Sequence, residues 1–301
     1  MTNLRSNRLA LHACVAMLAA AWPPHGSAQS QIPDDFDAAG ENEGERPESG
    51  AGAGGISRGN GSFTFGYFVI NNINSRLYMG PDDVPIAARL DLSRDLGLKD
   101  SASVLRLGFL YAFGRRHGIS LGYYDFDNQG NRELTRTVDL GDSVFELGAR
   151  VSASYKERIL KLGYNLIFHE DEKILLAVTP GMHLSSIDFR IRAPAIGQSS
   201  EREEGGSATA PLPMVGGRLR YRITPKLSMD VQTDIFFLNQ SEQRGSLTDS
   251  YLSFEHQTYD RIAFGAGINR WALAIDFTDD GERWDWQSVY TGAYLYLRVL
   301  F

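Results

Sequence analysis

Arginines stand at every second position in one segment of the sequence, where Arg218, Arg220 and Arg222 alternate with Leu219 and Tyr221. Side chains at alternate positions of a β-strand point to the same face, so the three cations would share one face and the apolar residues the other. A row of guanidinium groups inside a pore favours the passage of anions. The same row would serve the structure instead if carboxylates on neighbouring strands neutralised it.

Charged residues of both signs follow this pattern in other apolar segments. They fall opposite the apolar face, and carboxylates occur on strands next to those that carry the cations. In a closed sheet these side chains would fill one interior, the lumen. We predict a lumen network of ion pairs and hydrogen bonds, with a narrow anion-favouring pore as the alternative. The predicted network comprises Arg106, Lys161, Arg218, Arg220, Arg222, Asp230, Asp234, Glu255 and Arg298.

His183 and Ser185 form the one arrangement that suggests a nucleophile, because residues two apart on a strand share a face. A catalytic serine needs a base within hydrogen-bond reach and a third group that orients the base. The spacing resembles the His-x-Ser of outer-membrane lipid A deacylases, but we find no matching acid. The pattern also points both side chains into the lumen, away from lipid. We therefore expect a hydrogen-bonded lumen pair and predict no catalytic residue.

Two acidic segments have the oxygen ligands that divalent cations prefer. Residues 125–133 have donors at spacings reminiscent of a calcium loop, but they lack the full ligand order and the flanking helices, so we expect a tight turn. For a later acidic cluster we expect a solvated loop with interfacial tryptophans, with divalent ions that bridge the loop to lipopolysaccharide as the alternative. We predict no metal site and no cofactor. The later cluster contains Asp276, Asp279, Asp280, Glu282 and Asp285, beside Trp284 and Trp286.

The amino-terminal segment predicts export. Arg5 and Arg8 precede an apolar run over residues 9–22, and prolines and small residues follow it, as in a cleavable signal peptide over residues 1–28. A lipoprotein anchored through Cys14 is the alternative, although most of the apolar run follows that residue. Cys14 is the one cysteine of the sequence, and cleavage of the signal peptide would remove it. The mature chain would then have no disulfide and no thiol nucleophile.

Residues 29–62 are predicted to form a disordered linker. They hold seven acidic and two basic residues and almost no apolar side chains, so they cannot bury enough surface to offset their ordering entropy.

Loss of residues 1–28 removes two arginines and no acid, which leaves 28 Lys and Arg against 37 Asp and Glu. This balance gives no basic surface for nucleic acid. No run of 18 apolar residues supports a membrane-spanning helix.

From Phe63 onward, apolar and other residues alternate in short segments, and tight turns alternate with long polar connections. Transmembrane β-barrels have short periplasmic turns and longer outside loops in this order. We therefore predict an all-β fold over residues 63–301, a transmembrane antiparallel up-and-down β-barrel of about ten strands, with eight or twelve as alternatives. The expected long connections are residues 80–102, 128–147, 190–208, 239–246 and 278–285. The expected strands are 63–78, 103–113, 118–127, 148–168, 173–189, 209–222, 227–238, 247–256, 261–277 and 286–301.

The final strand ends on Phe301, and Val299, Leu297 and Leu295 share its face. This alternation before a terminal phenylalanine resembles the carboxyl-terminal signature of bacterial outer-membrane barrels, which the barrel-assembly machinery recognises. The resemblance implies that these four residues form an assembly signal. Aromatic residues near the periplasmic strand ends predict an interfacial girdle. They are Phe63, Phe65, Tyr111, Phe113, Phe168, Tyr221 and Phe301.

Three longer segments carry a further resemblance. They are ARLDLSRDLGLKDSASVLRLGFLYAFGRRHGISLGYYDFD, ATAPLPMVGGRLRYRITPKLSM and GSLTDSYLSFEH. The sequence from Phe63 to Phe301 resembles a family of small proteobacterial outer-membrane β-barrel domain proteins, in the broad group of the transmembrane domain of outer-membrane protein A. The resemblance implies an outer-membrane location and no particular chemistry. The better-known members have eight strands, and the ten counted here differ from them.

These observations predict a non-enzymatic barrel of the Gram-negative cell envelope, with a structural or surface-interaction role. A narrow pore for small anionic solutes is the alternative, and a lipid-modifying or proteolytic outer-membrane enzyme is a further one. The expected partners are outer-membrane lipid and lipopolysaccharide, and the barrel-assembly machinery during biogenesis. The sequence does not identify a partner for the outside loops.

Overall fold

Long β-strands make up most of the computed structural model, which describes residues 61–81, 90–139, 144–194, 201–239, 243–279 and 282–301. Ten described strands have 11 residues or more, and three have two. The long strands are β1 (Gly61–Pro81), β3 (Ala102–Ala112), β4 (His117–Glu133), β7 (Arg150–Glu170), β8 (Ile174–Pro194), β9 (Glu201–Arg222), β10 (Leu227–Asn239), β11 (Gln243–Tyr259), β12 (Ile262–Asp279) and β13 (Glu282–Leu300). The short elements are β2 (Leu90–Asp91), α1 (Leu92–Leu96), β5 (Val138–Asp139) and β6 (Val144–Phe145).

The ten long strands close into a ring. Each is hydrogen-bonded to its neighbour in chain order, antiparallel, and β13 pairs back with β1 over almost its whole length. At the seam, Gly61 and Phe301 exchange two backbone hydrogen bonds of 3.1 and 3.0 Å. The predicted fold class, an all-β antiparallel barrel of ten strands, is confirmed.

The amino-terminal predictions lie almost wholly outside the described residues. These are the signal peptide over residues 1–28, with the alternative at Cys14, and the linker over residues 29–62. Gly61 and Ser62 are described, and they already belong to β1. No helix among the described residues is long and apolar enough to cross a membrane.

Four tight connections lie at one end of the barrel, as the sequence predicts. They comprise residues 113–116, 171–173, 223–226 and 260–261. In the second of them, Asp171 accepts hydrogen bonds from the backbone N–H groups of Lys173 and Ile174, at 2.7 and 2.8 Å, which lowers the pKa of its carboxyl group. We call this end, which also carries Phe301, the turn end, and the opposite end the loop end.

At the loop end the strands extend much further than predicted. The expected connection at 190–208 is largely strand, because β8 runs to Pro194 and β9 begins at Glu201. The expected loop at 278–285 is likewise mostly β12 and β13. The turn expected within 125–133 is wrong, since β4 continues through these residues and their side chains alternate between the two faces of the sheet.

The outward face of β7 shows where lipid contacts the barrel. Its outward side chains are apolar from Phe168 to Leu160 and polar from Arg158 to Arg150. The apolar part spans nine residues, which matches the ~9 to 11 needed for a tilted strand to cross a bilayer. At ~3.3 Å per residue the whole strand is about 70 Å long, about twice the ~30 to 36 Å of a tilted strand of ~9 to 11 residues that crosses the bilayer.

The change from apolar to polar occurs at the same level on neighbouring strands. Leu160 lies opposite Tyr123 and Leu184, and Leu184 lies opposite Pro211. One step towards the loop end the paired outward residues are Asp125, Arg158, Ser186 and Thr209. The barrel therefore spans the membrane with its turn-end half, and its loop-end half projects beyond it.

Aromatic side chains surround the turn end of this apolar belt. The seven predicted girdle residues all point outward, with exposed fractions between 37% for Tyr221 and 61% for Phe168. Phe63 stacks against Phe301, with ring centroids 5.3 Å apart, and lies beside Phe109 at 5.1 Å. The girdle therefore includes both strands of the seam that closes the ring.

Candidate functional site

The turn-end half of the lumen contains a cluster of ion pairs between β9, β10, β11 and β13. Asp230 accepts hydrogen bonds from Arg218 at 3.0 Å and from Arg220 at 2.8 Å. Glu255 accepts from Arg220 and from Arg298, each at 3.1 Å. Residues of antiparallel partner strands lie opposite one another, so the period-2 pattern of the sequence places Arg220 beside Asp230.

A second cluster lies in the middle of the barrel, just below the upper edge of the apolar belt. Lys161 donates a hydrogen bond to Asp234, and its Nζ lies 3.9 Å from Asp249. His183 has its Nε2 3.9 Å from Asp234 and stacks on Trp271 with nearly parallel rings. The ring nitrogens of His183 have no hydrogen-bond partner among the described residues.

This second cluster has the composition of a metal site. The ligand atoms of His183, Asp234 and Asp249 lie within 4.8 Å of one another, and all three residues are buried. The ammonium group of Lys161 already contacts both carboxylates. Lys161 thus supplies the cation that neutralises the cluster, and a metal ion would have to displace it.

Arg106 completes this cluster from β3. Its guanidinium donates to Asn269 at 2.7 Å, and Asn269 in turn donates to Asp249 at 2.8 Å. The rings of Phe68 and Tyr124 lie 4.4 and 4.2 Å from the guanidinium carbon, at cation–π distance. Among the described residues no carboxylate lies within ion-pair distance of Arg106, and Asn269 links its guanidinium to the carboxylate of Asp249.

A cavity of about 140 Å³, whose wall has both polar and apolar surface, lies between the two clusters. Four cations border it: Arg106, Lys161, Arg218 and Arg298. Its remaining polar wall consists of hydroxyl and amide groups, including four tyrosines. No Asp or Glu is among the residues that line it. The carboxylates of both clusters therefore lie behind the cations, and the cavity presents hydrogen-bond donors.

A third polar group lies above the membrane level. Glu157 accepts hydrogen bonds from Tyr155 at 2.6 Å, Tyr290 at 2.8 Å and Ser185 at 3.0 Å. Ser185 thus bonds to a carboxylate and not to His183, so the expected hydrogen-bonded pair of His183 and Ser185 is wrong. Both side chains do face the lumen and are buried. The contacts around Glu157 satisfy the carboxylate, and His183, whose ring nitrogens have no hydrogen-bond partner among the described residues, is not hydrogen-bonded to the serine.

Apolar side chains fill the lumen around and above Glu157. Trp286, Phe126 and Phe189 are buried there, and Trp286 packs on Tyr155 with ring centroids 4.8 Å apart. The segment of β2 and α1 packs on the same core through buried leucines such as Leu96. We call this set of buried side chains the apolar seal. Its main members are Ile70, Leu77, Leu90, Leu92, Leu96, Phe126, Tyr155, Phe189, Ile191, Leu273, Trp286 and Tyr290.

Eight of the nine residues of the predicted lumen network take part in these clusters. Arg222 does not, since it lies at the turn end, where it donates to the backbone carbonyl of Glu172. Asp249, Asn269 and Glu157 were not among the predicted residues. Asp249 could have been found, because it falls on the same face of β11 as the predicted Glu255.

The residues of the predicted assembly signal point outward along β13 and at its end. In the predicted assembly signal, Leu295 and Phe301 point outward, 53% and 46% exposed. Val299 and Leu297 lie on the same outward face of β13, opposite Phe63 and Phe65.

The expectation of interfacial tryptophans at Trp284 and Trp286 is wrong. Trp286 is fully buried in the apolar seal, and Trp284 stacks on it. Both lie on the inward face of β13, which begins at Glu282. The start of β13 falls within residues 278–285, where a solvated loop was predicted. In the same region Arg283 pairs with Asp276 and approaches Asp285 at 3.6 Å.

The fold is similar to solved barrels of bacterial outer membranes. The outer membrane protease OmpT from Escherichia coli is 8% identical with a TM-score of 0.44, over 80% of this chain and 97% of that chain. The outer membrane protein OprG from Pseudomonas aeruginosa is 13% identical with a TM-score of 0.34, over 80% and 98%. The attachment invasion locus protein Ail of Yersinia pestis is 13% identical with a TM-score of 0.27, over 78% and 98%. At these values the likeness carries no information on function.

No family model and no curated protein matches the sequence. The resemblance to the family of small proteobacterial barrel domain proteins therefore stays a prediction.

Proposed function

We propose that this protein is a closed, non-enzymatic barrel of the bacterial outer membrane, with a structural or surface-contact role. The observation that carries the proposal is the apolar seal, which occupies the projecting half of the lumen. A water-filled channel needs a continuous polar path, and closely packed Trp, Phe, Leu and Ile side chains leave none at this level. The turn end would face the periplasm, with the projecting half outside the cell.

The arginine row of β9 also supports a structural role. Arg218 and Arg220 are bound to Asp230 and Glu255, so they are neutralised and held by hydrogen bonds. An anion pathway would need these charges to be free along the whole lumen. Instead the cations stop at the level of Lys161 and Arg106, below the apolar seal.

The proposed partners are lipid, lipopolysaccharide and the barrel-assembly machinery. Outward basic side chains such as Lys156, Arg158 and Arg190 lie just above the apolar belt, at the level where anionic headgroups would lie. The assembly machinery would recognise the last strand through Phe301 and the outward residues before it. The projecting half would make any further contacts at the cell surface.

Single-channel recording tests closure. Purified protein, refolded and inserted into planar bilayers, should give no discrete conductance steps, while a porin in the same bilayers does. The folded state is checked by heat-modifiable electrophoretic mobility. Regular steps from folded protein would contradict the proposal.

A narrow anion-favouring pore is the second candidate function. The cavity bordered by Arg106, Lys161, Arg218 and Arg298 favours it, since all its charged groups are cations. This candidate predicts steps with an anion preference that falls in Arg220→Gln. Steps with that behaviour would replace the first proposal with the second.

A further inference from the structure

The lumen at membrane level carries more positive than negative charge. Six cations face it from the described strands: Arg106, Lys161, Arg218, Arg220, Arg222 and Arg298. Four buried carboxylates face it, Asp230, Asp234, Asp249 and Glu255, and the register places Glu170 on the same face at the turn end, opposite Leu175. Apart from Arg222 and Glu170, which lie at the turn end, five cations face four carboxylates, so one positive charge remains without an ionic partner among the described residues.

Arg106 is the site of this excess charge. Arg106 is 7% exposed, and its guanidinium contacts an amide oxygen and aromatic rings. Its Nε has no hydrogen-bond partner among the described residues. A charge removed from water is costly unless it is paired, so an anion beside Arg106 would satisfy both its charge and its free donor.

The cavity beside Arg106 has the size and the chemistry for such an anion. Cavities of roughly 150 Å³ accept a molecule the size of benzene, and this one measures about 140 Å³. Besides the four cations, hydroxyl groups such as those of Thr64, Ser120 and Tyr124 line it. Charge-assisted hydrogen bonds from arginine to an oxyanion are among the stronger polar contacts in proteins.

We propose that this cavity is a binding site for one small oxyanion of the phosphate or sulfate class, with Arg106 as its main cationic contact. Arg218 and Arg298 complete the positive wall, and each has a buried Nε without a partner among the described residues. The bound anion would supply the missing negative charge of the membrane-level lumen.

The ligand would enter from the turn end. The side chains of Arg218, Arg220 and Arg298, on the turn-end side of the lumen, are 12 to 18% exposed, and that of Lys161 is 10% exposed. Water therefore reaches the cavity from the turn end, and the apolar seal stops it beyond the second cluster. The site is thus a blind pocket. Binding itself does not depend on the proposed closure, which conductance tests separately.

Isothermal titration calorimetry with inorganic phosphate tests the site. The refolded protein is kept in a non-ionic detergent and a phosphate-free buffer, so that neither lipid headgroups nor the buffer supply the anion. We expect saturable binding of one phosphate per chain, weakened at least tenfold in Arg106→Gln. The matched control Arg222→Gln, which removes a lumen-facing cation outside the cavity wall, should keep wild-type affinity. No saturable binding by the wild type, or equal affinity in Arg106→Gln, would overturn the proposal.

A second measurement does not rely on the folding of the Arg106 variant. A cysteine at position 64, in Thr64→Cys, places a thiol on the cavity wall, and an uncharged maleimide reports its accessibility. Phosphate should slow the labelling of this thiol relative to chloride at equal ionic strength. It should not slow the labelling of Gln129→Cys on the outer surface. An equal rate for Thr64→Cys with and without saturating phosphate would count against the site.

Discussion

At the scale of single residues, buried ion pairs stabilise the lumen, and the Lys161 pair is the clearest case. The side chain of Lys161 is 10% exposed and contacts Asp234, which is 1% exposed, and it also lies near Asp249. Removal of one partner from a buried pair leaves the other charge without compensation, which typically costs ~3 to 5 kcal/mol. An exposed pair contributes only ~0 to 1 kcal/mol.

This contrast predicts different outcomes for the same substitution at two positions of β7. Lys161→Met should lower the free energy of unfolding by about 3 kcal/mol or more, because two carboxylates lose their cation. Lys156→Met, which removes the exposed pair with Asp127, should change it by less than ~1 kcal/mol. Urea unfolding of each variant in lipid vesicles measures both values. A similar small loss at the two positions would show that the Lys161 pair does not stabilise the fold.

The lumen residues also show what the sequence could predict at this scale. Alternation assigned Arg106, Arg220 and Asp230 to the interior, because a strand has only two faces. It could not show that Ser185 bonds to Glu157, since that contact depends on the register between β7 and β8. Register is a property of the pair of strands and not of either sequence alone.

At the scale of the elements, the last strand closes the barrel. β13 pairs with β12 on one side and with β1 on the other, and Phe301 bonds to Gly61 at the seam. A strand without these bonds would leave two exposed sheet edges inside the membrane, where no water can satisfy them. Assembly therefore depends on the correct placement of the carboxyl-terminal residues.

Phe301→Ala should reduce the folded, membrane-inserted fraction several-fold. The change removes the terminal ring that stacks on Phe63 and belongs to the girdle. Phe254→Ala is a matched control, because Phe254 is an outward phenylalanine of β11 that is 48% exposed and pairs with Met229 and Ala266, away from β13 and β1. Heat-modifiable mobility of membrane fractions measures the yield. Equal yields for the two variants would contradict a specific role of the terminal residue.

The elements at membrane level were predictable, and those beyond it were not. Inside the bilayer an outward apolar residue alternates with an inward polar one, which is a strong signal. In residues 201–210, EREEGGSATA, small and polar residues occupy both faces of β9, so the strand looks like a loop. Helix α1 is only five residues long, and its signals are the caps at Asp91 and Gly97.

At the scale of the whole molecule, the lumen has two levels with different chemistry. The turn-end half lies within the bilayer and holds the ion pairs and the cavity. The loop-end half projects beyond the membrane and holds the apolar seal. In the turn-end half the apolar side chains face outward to lipid and the polar ones face the lumen. In the loop-end half the apolar side chains face inward and form a hydrophobic core.

The position of the bilayer edge is the central claim on which this division rests. Nitroxide labels on single cysteines along the outward face of β4, at positions 119 to 131, measure it through their accessibility to oxygen and to a water-soluble nickel complex. We expect oxygen to dominate at Ile119, Leu121 and Tyr123 and the nickel complex to dominate from Asp125 onward. A lipid signature that continues to Gln129 would contradict the account, because the apolar seal would then lie inside the membrane.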